Sequence, residues 1–175
     1  MIYYAGIGSR RISVEEELYI SDLGKKFSDL GFCLYSGHAD GADMTFEKAS
    51  DPELSVIWLP WEGFNGKLYS KNGIVVGDRE EGRRTMEAFH PSPTRLGRGG
   101  KALISRNHFQ IYGDPPLYPM VDFVVCCADY DGPYKIRGGT GHAIRLASQL
   151  GIGWFNIRDL KERKRLDDYI SIINM

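Results

Sequence analysis

No apolar run in this chain approaches the ~20 residues that a membrane-spanning helix needs, and no charged-then-apolar leader precedes its first strand-like segment. The expectation is a cytoplasmic protein with no membrane partner. Cysteine is scarce and odd in number: Cys33, Cys126 and Cys127 lie in apolar runs without CxxC spacing. That excludes a disulfide framework and a thiolate metal site, and leaves reduced core residues. Charge of one sign is lacking too, since the formal net charge is −1. Binding to a polyanion would have to come from a local patch. There is no GxGxxG fingerprint, P-loop lysine or HxxxH pair, so no dinucleotide, ATP or metal is expected and no cofactor is assigned. The four histidines, His38, His90, His108 and His142, are too scattered for a ligand set.

What is present alternates in a regular way. Ile2 to Gly6 reads as a strand, ending in the polar glycine turn IGSR. Ser13 with Glu16 three residues on forms a capping box, and Ile20, Leu23, Phe27 and Leu30 recur at helical spacing until Gly31. Phe32 to Ser36 repeats the strand and Ala42 to Ala49 the helix, and Leu54 to Pro60 is a third strand. Met120 to Ala128 is the most apolar run, as expected of a central strand buried on both faces. Gly138 to Gly151 carries the i, i+3, i+4, i+7 stripe of Ala143, Leu146, Ala147 and Leu150. Gly153 to Ile157 follows as a strand, and Leu160 to Ile173 closes over an edge of the sheet. This order predicts one α/β domain over residues 1–175, a Rossmann-like parallel sheet with helices on both faces. Between the halves, Trp61 to Gly73 reads as an exposed loop or lid, and residues 78–112 as a helical insertion.

In such sheets ligands bind beyond the carboxyl ends of the strands. Three turns meet that description. The first supplies Gly6, Gly8, Ser9 and Arg10. The second, SGHADGADMTFE, supplies Ser36, Gly37, His38, Asp40, Gly41, Ala42 and Asp43. The third supplies Gly138, Gly139, Thr140, Gly141, His142 and Arg145. Glycines let backbone approach a ligand, and helix starts present free N–H groups to an anion. The plain structural alternative for the second turn is Asp40 as N-cap with Asp43 in a capping-box position. Asp43 and Glu47 share a helix face at i, i+4 and are the candidate catalytic carboxylates, with dipole complementation as the competing explanation. From Arg83 to Arg106 six basic residues stand against the single acid Glu87. Arg106 and Gln110 lie one turn apart on one face, with Asn107 beside them. Trp61 and Phe64 are the loop aromatics that could stack on a base.

The motifs IGSR, SGHADGADMTFE and GGTGHAIRLA, in that order, resemble the SLOG superfamily, which includes DprA/Smf and the LOG-type nucleoside-monophosphate phosphoribohydrolases. The likeness extends to small DprA-like proteins of tailed-phage and bacterial genomes through His90 to Pro93 and Ser105 to Gln110. In LOG enzymes the third turn reads PGGxGTxxE and its glutamate is catalytic; here Arg145 occupies that place. An arginine cannot serve as a general base, though it can clamp a phosphate. The first function expected is therefore binding of a nucleotide or nucleotide-derived ligand, with phosphate on the second and third turns. A nucleotide N-glycosidase acting through Asp43 or Glu47 is the alternative. DprA-like binding of single-stranded DNA through the Arg83 to Arg106 patch is a further one. Self-association is expected from the way related folds pair.

Overall fold

A computed structural model describes residues 1–133 and 135–174. Six strands and six α-helices follow one another along them. They are β1 (Tyr3–Gly8), α1 (Val14–Asp29), β2 (Cys33–Ser36), α2 (Ala42–Ala49), β3 (Ser55–Leu59), β4 (Gly73–Val75), α3 (Glu80–Phe89), α4 (Arg98–Tyr112), β5 (Phe123–Cys127), α5 (Gly138–Gln149), β6 (Gly153–Asn156) and α6 (Leu160–Ile173). The strands form one sheet in the order β4-β3-β2-β1-β5-β6, and every pairing is parallel. The chain thus builds outward from β1 in one direction and then returns to place β5 on its other side. A crevice opens between the loops that leave β1 and β5.

Local chemistry accounts for the elements. Ser13 Oγ accepts the Glu16 N–H at 3.1 Å and Glu16 accepts the Ser13 N–H at 2.8 Å, so the capping box starts α1. Ile20, Leu23 and Phe27 bury its inner face, and Gly31, in the left-handed region, ends it. Side-chain alternation then sorts each strand between two layers. Tyr4, Phe123, Val125 and Phe155 face α1, α2 and α6, whereas Ala5, Ile7, Val124 and Cys126 face α4 and α5. Phe123 lies among Tyr4, Phe27, Phe155 and Tyr169, and full burial of such a ring stabilises by ~1.5–3 kcal/mol. All three cysteines are free and buried.

Several expectations change. From the last residue of the segment read as a loop, Gly73–Val75 forms the edge strand β4, too short to show a period of its own and held by pairing to β3. The preceding residues are fastened down: Phe64 is buried, and the Lys67 ammonium meets Glu47 at 2.7 Å. The stretch 78–112 resolves into α3 and α4, and α4 covers the sheet with Phe109 and Ile111. Helix α6 covers a face and not an edge, since Leu166 and Ile170 enter the cluster with Phe123 and Phe155. Finally, α2 is capped by Gly41 and makes no side-chain capping bond, so neither Asp40 nor Asp43 caps it.

Candidate functional site

At the crevice between β1 and β5 lies a cleft of about 410 Å³. Ile7, Gly8, Ser9 and Arg10 come from the first turn, Ala39 and Asp43 from the second, and Arg137 to Thr140 from the third. Helix α4 supplies a wall of Leu103, Ile104, Asn107 and Gln110, with Arg106 beside it and Leu96 just ahead of the helix. Asp129, just past β5, completes the rim.

Asp43 organises the floor. It is only 3% exposed, and its two carboxylate oxygens accept N–H groups from Gly8 at 3.0 Å and Gly37 at 3.1 Å. The Gln110 amide approaches at 3.4 Å. One carboxylate thus ties the first turn, the second turn and α4 together. Burial pushes its carboxyl up to about 6, against the opposing pull of Arg106 and the two backbone bonds. Arg106 is equally committed: its guanidinium donates to the carbonyls of Gly37 and Trp58, the latter at 3.1 Å, and burial lowers its pKa to about 10. Ser36 Oγ donates to the Gly6 carbonyl at 2.6 Å.

The second turn therefore carries its own anion. The Ala42 N–H donates to the Ser9 carbonyl at 3.0 Å, and the Gly8 and Gly37 N–H groups are held by Asp43. A phosphate there would compete with a fixed carboxylate. Its glycines serve packing: a Cβ on Gly37 would stand 2.0 Å from the Arg106 guanidinium. One on Gly41, whose φ is +82°, would stand 2.3 Å from the Ser9 carbonyl. Gly6 and Gly141 are equally hemmed in, by Phe46 and the Ile136 carbonyl. The third turn differs. The first helical bond of α5 runs from the Gly141 N–H to the Arg137 carbonyl, and among the described residues the amides of Gly138, Gly139 and Thr140, which line the cleft, have no acceptor. Asn107 holds this turn by donating to the Gly139 carbonyl at 2.9 Å.

Other expected site residues sit elsewhere. Glu47 accepts from His38 at 2.6 Å and from Lys67 at 2.7 Å, in a cluster that fastens the 61–67 loop outside the cleft lining. His38 itself has a positive φ, and its carbonyl accepts from Asn65. Asp40 is exposed and is not part of the cleft lining. His142 is 0% exposed and turns to α3, its Nε2 3.3 Å from the Thr85 carbonyl. Burial lowers its pKa to about 4. Arg145 donates to the Phe89 carbonyl at 2.8 Å, which joins α5 to the end of α3 and takes it out of the cleft lining. Trp61 is 41% exposed and packs edge-on against buried Phe64. Asp129 belongs to none of the three turn motifs, although its place just beyond the most apolar strand is a usable signal in the sequence. Arg158 holds it at 2.7 Å while also binding Glu16 and the Arg11 carbonyl.

Chemically the cleft brings together the start of α5, the cations Arg10 and Arg137, the carboxylates of Asp43 and Asp129, and an apolar wall from Leu103 and Ile104. No histidine lines it among the described residues, so it lacks a nucleophile–base pair built on imidazole. No family model matches the chain, and neither does any curated protein. A solved structure does: DNA processing protein A from Helicobacter pylori, described for its unique single-stranded DNA binding mode. The TM-score is 0.57 at 14% identity, and the match takes in 89% of this chain and 64% of that one. At that identity the likeness is one of fold. No helix among the described residues is long and apolar enough to cross a membrane.

Proposed function

We propose that this protein binds single-stranded nucleic acid in a DprA-like manner, seating one nucleotide unit in the cleft between β1 and β5. The phosphate lies at the amides of Gly138, Gly139 and Thr140, with Arg10 and Arg137 on either side and the base against Leu103 and Ile104. The observation that carries this reading is the uncommitted donor set. Among the described residues the amides of Gly138, Gly139 and Thr140, which line the cleft, have no acceptor, Arg10 has no ion-pair partner, and Arg137 makes only a long, exposed ion pair with Asp131 at 3.4 Å. The fold shared with a protein described as binding single-stranded DNA supports the same reading.

A LOG-type hydrolysis draws less support. Arg145 stands at the place of that family's glutamate and is bonded to Phe89, and both oxygens of Asp43 are already held. Binding of a free nucleotide keeps one specific argument, because the cleft volume of about 410 Å³ falls in the ~300–1,000 Å³ range of small-molecule sites.

Fluorescence polarisation with labelled oligothymidylate, repeated over a salt series and in competition with thymidine monophosphate, tests the choice. Binding should weaken as salt rises, because seating the strand's phosphates on the protein releases their counterions. Arg10→Ala combined with Arg137→Ala should weaken it by about tenfold or more, as removal of charge-assisted hydrogen bonds does. A wild-type protein that binds no oligonucleotide at low salt overturns the proposal. A mononucleotide that competes on equal terms with the oligonucleotide replaces it with the free-nucleotide reading.

A further inference from the structure

Helix α4 separates two cavities. Leu103 and Asn107 face the cleft, whereas Arg98, Lys101 and Ser105 point roughly to the opposite side of the helix, where a second cavity of about 350 Å³ lies against α3. This groove exists because the helices approach closely at Gly82, where a Cβ would stand 2.4 Å from the Ser105 carbonyl. Its charged groups are Arg83, Arg98 and Lys101 against Asp78 and Glu87, and none of the five forms an ion pair among the described residues. Ser105, 2% exposed, lines the groove from α4. Three cations without ion-pair partners among the described residues, against two carboxylates, leave the groove with charge-assisted donors unspent.

Between the two cavities runs the first turn of α4, with Gly97, Gly99 and Gly100. Unlike the glycines of the cleft floor, these have neither a positive φ nor a tight neighbour. A Cβ on Gly97 would meet nothing within 4 Å, and one on Gly99 only the Trp61 ring at 3.9 Å. Gly97 is the N-cap of α4, a place that suits glycine, whereas at Gly99 and Gly100, inside the helix, glycine is less favourable than alanine. At Gly99 and Gly100 neither packing nor backbone geometry asks for glycine, and its effect is a ridge bare of side chains, where another backbone can come close.

We infer that the groove between α3 and α4 is a second phosphodiester site, and that a single strand seated in the cleft crosses the Gly97–Gly100 turn to reach Arg83, Arg98 and Lys101. This rests on the cleft reading above. The separation is one helix diameter, ~10–12 Å, so a strand of a few nucleotides spans both while a mononucleotide occupies the cleft alone.

The test compares oligothymidylate with thymidine monophosphate on the full chain. Arg98→Glu combined with Lys101→Glu changes exposed side chains and should preserve the fold. It should weaken oligonucleotide binding by about tenfold or more and lower the salt slope by about 1.4, ~0.7 for each phosphate of the single strand that the variant no longer neutralises. Mononucleotide binding should stay unchanged. Gly99→Leu, which alters no charge, should weaken the oligonucleotide selectively as well by obstructing the ridge. If wild type binds the oligonucleotide and both variants bind it equally well, the groove is not on the path and the cleft reading stands. If wild type binds neither probe, both readings fall.

Discussion

At the scale of single residues, Asp43 and the glycines around it show how much of a motif can be structural. SGHADGAD has the look of a phosphate cradle, yet its own carboxylate fills the anion position by accepting the Gly8 and Gly37 amides. Asp43→Asn keeps one acceptor oxygen and turns an amide NH₂ toward the other N–H. It should destabilise the fold by about 1–3 kcal/mol, the penalty expected when a buried donor goes unpaired, read from the urea midpoint. Gly37→Ala places a methyl group against the Arg106 guanidinium and should cost at least about 2 kcal/mol through overpacking. A midpoint equal to that of wild type would show that Arg106 can move aside. The motif's glycines were legible in the chain, but the reason for them was not. Gly37 and Arg106 are 69 positions apart, and their collision exists only after folding.

Among the elements, the strand and helix alternation was readable because each crossover helix carries its own 3.6-residue stripe and each inner strand its apolar run. Strand β4 was not, since three residues show no period and only β3 gives them a partner. The 61–73 segment is likewise defined by what it docks on. Lys67→Ala removes one of the two partners of Glu47 and should raise amide exchange over residues 61–67, with a change of about 1 kcal/mol or less in global stability. At the α3–α5 junction, His142 takes up a proton in the folded protein only near pH 4, because burial disfavours its charged form; in the unfolded chain it does so at the ordinary 6.5. Between those values the unfolded chain binds more protons, so stability falls as the pH drops through the window. The fall from this one group should reach about 3 kcal/mol. His142→Gln should abolish that part of the acid dependence. Urea midpoints of the two proteins that stay parallel across the window would assign it to other groups.

Over the whole molecule, distant segments are joined at the crevice by a few polar residues. Arg158, from the last quarter of the chain, binds Glu16 at the start of α1, the Arg11 carbonyl after β1 and Asp129 after β5. Arg158→Ala leaves the part-buried Glu16 without its cation and should cost about 1.5–3 kcal/mol by chemical denaturation, with little change in the far-ultraviolet spectrum. Net charge operates at the same scale. A chain near neutrality has no global pull on a polyanion, so any nucleic-acid binding must follow the local surface around α4. By itself the sequence determined the class of fold, the buried central strand, the capping box of α1 and the three turns at the strand ends. All of these are written in local periodicity and turn chemistry. The tertiary structure alone decided the strand order that puts β5 beside β1 and opens the crevice there. It alone also separated Asp43, which lines the cleft, from Glu47, His142 and Arg145, which do not. Which side of a helix meets a cavity depends on partners far away in the chain, and no local pattern encodes them.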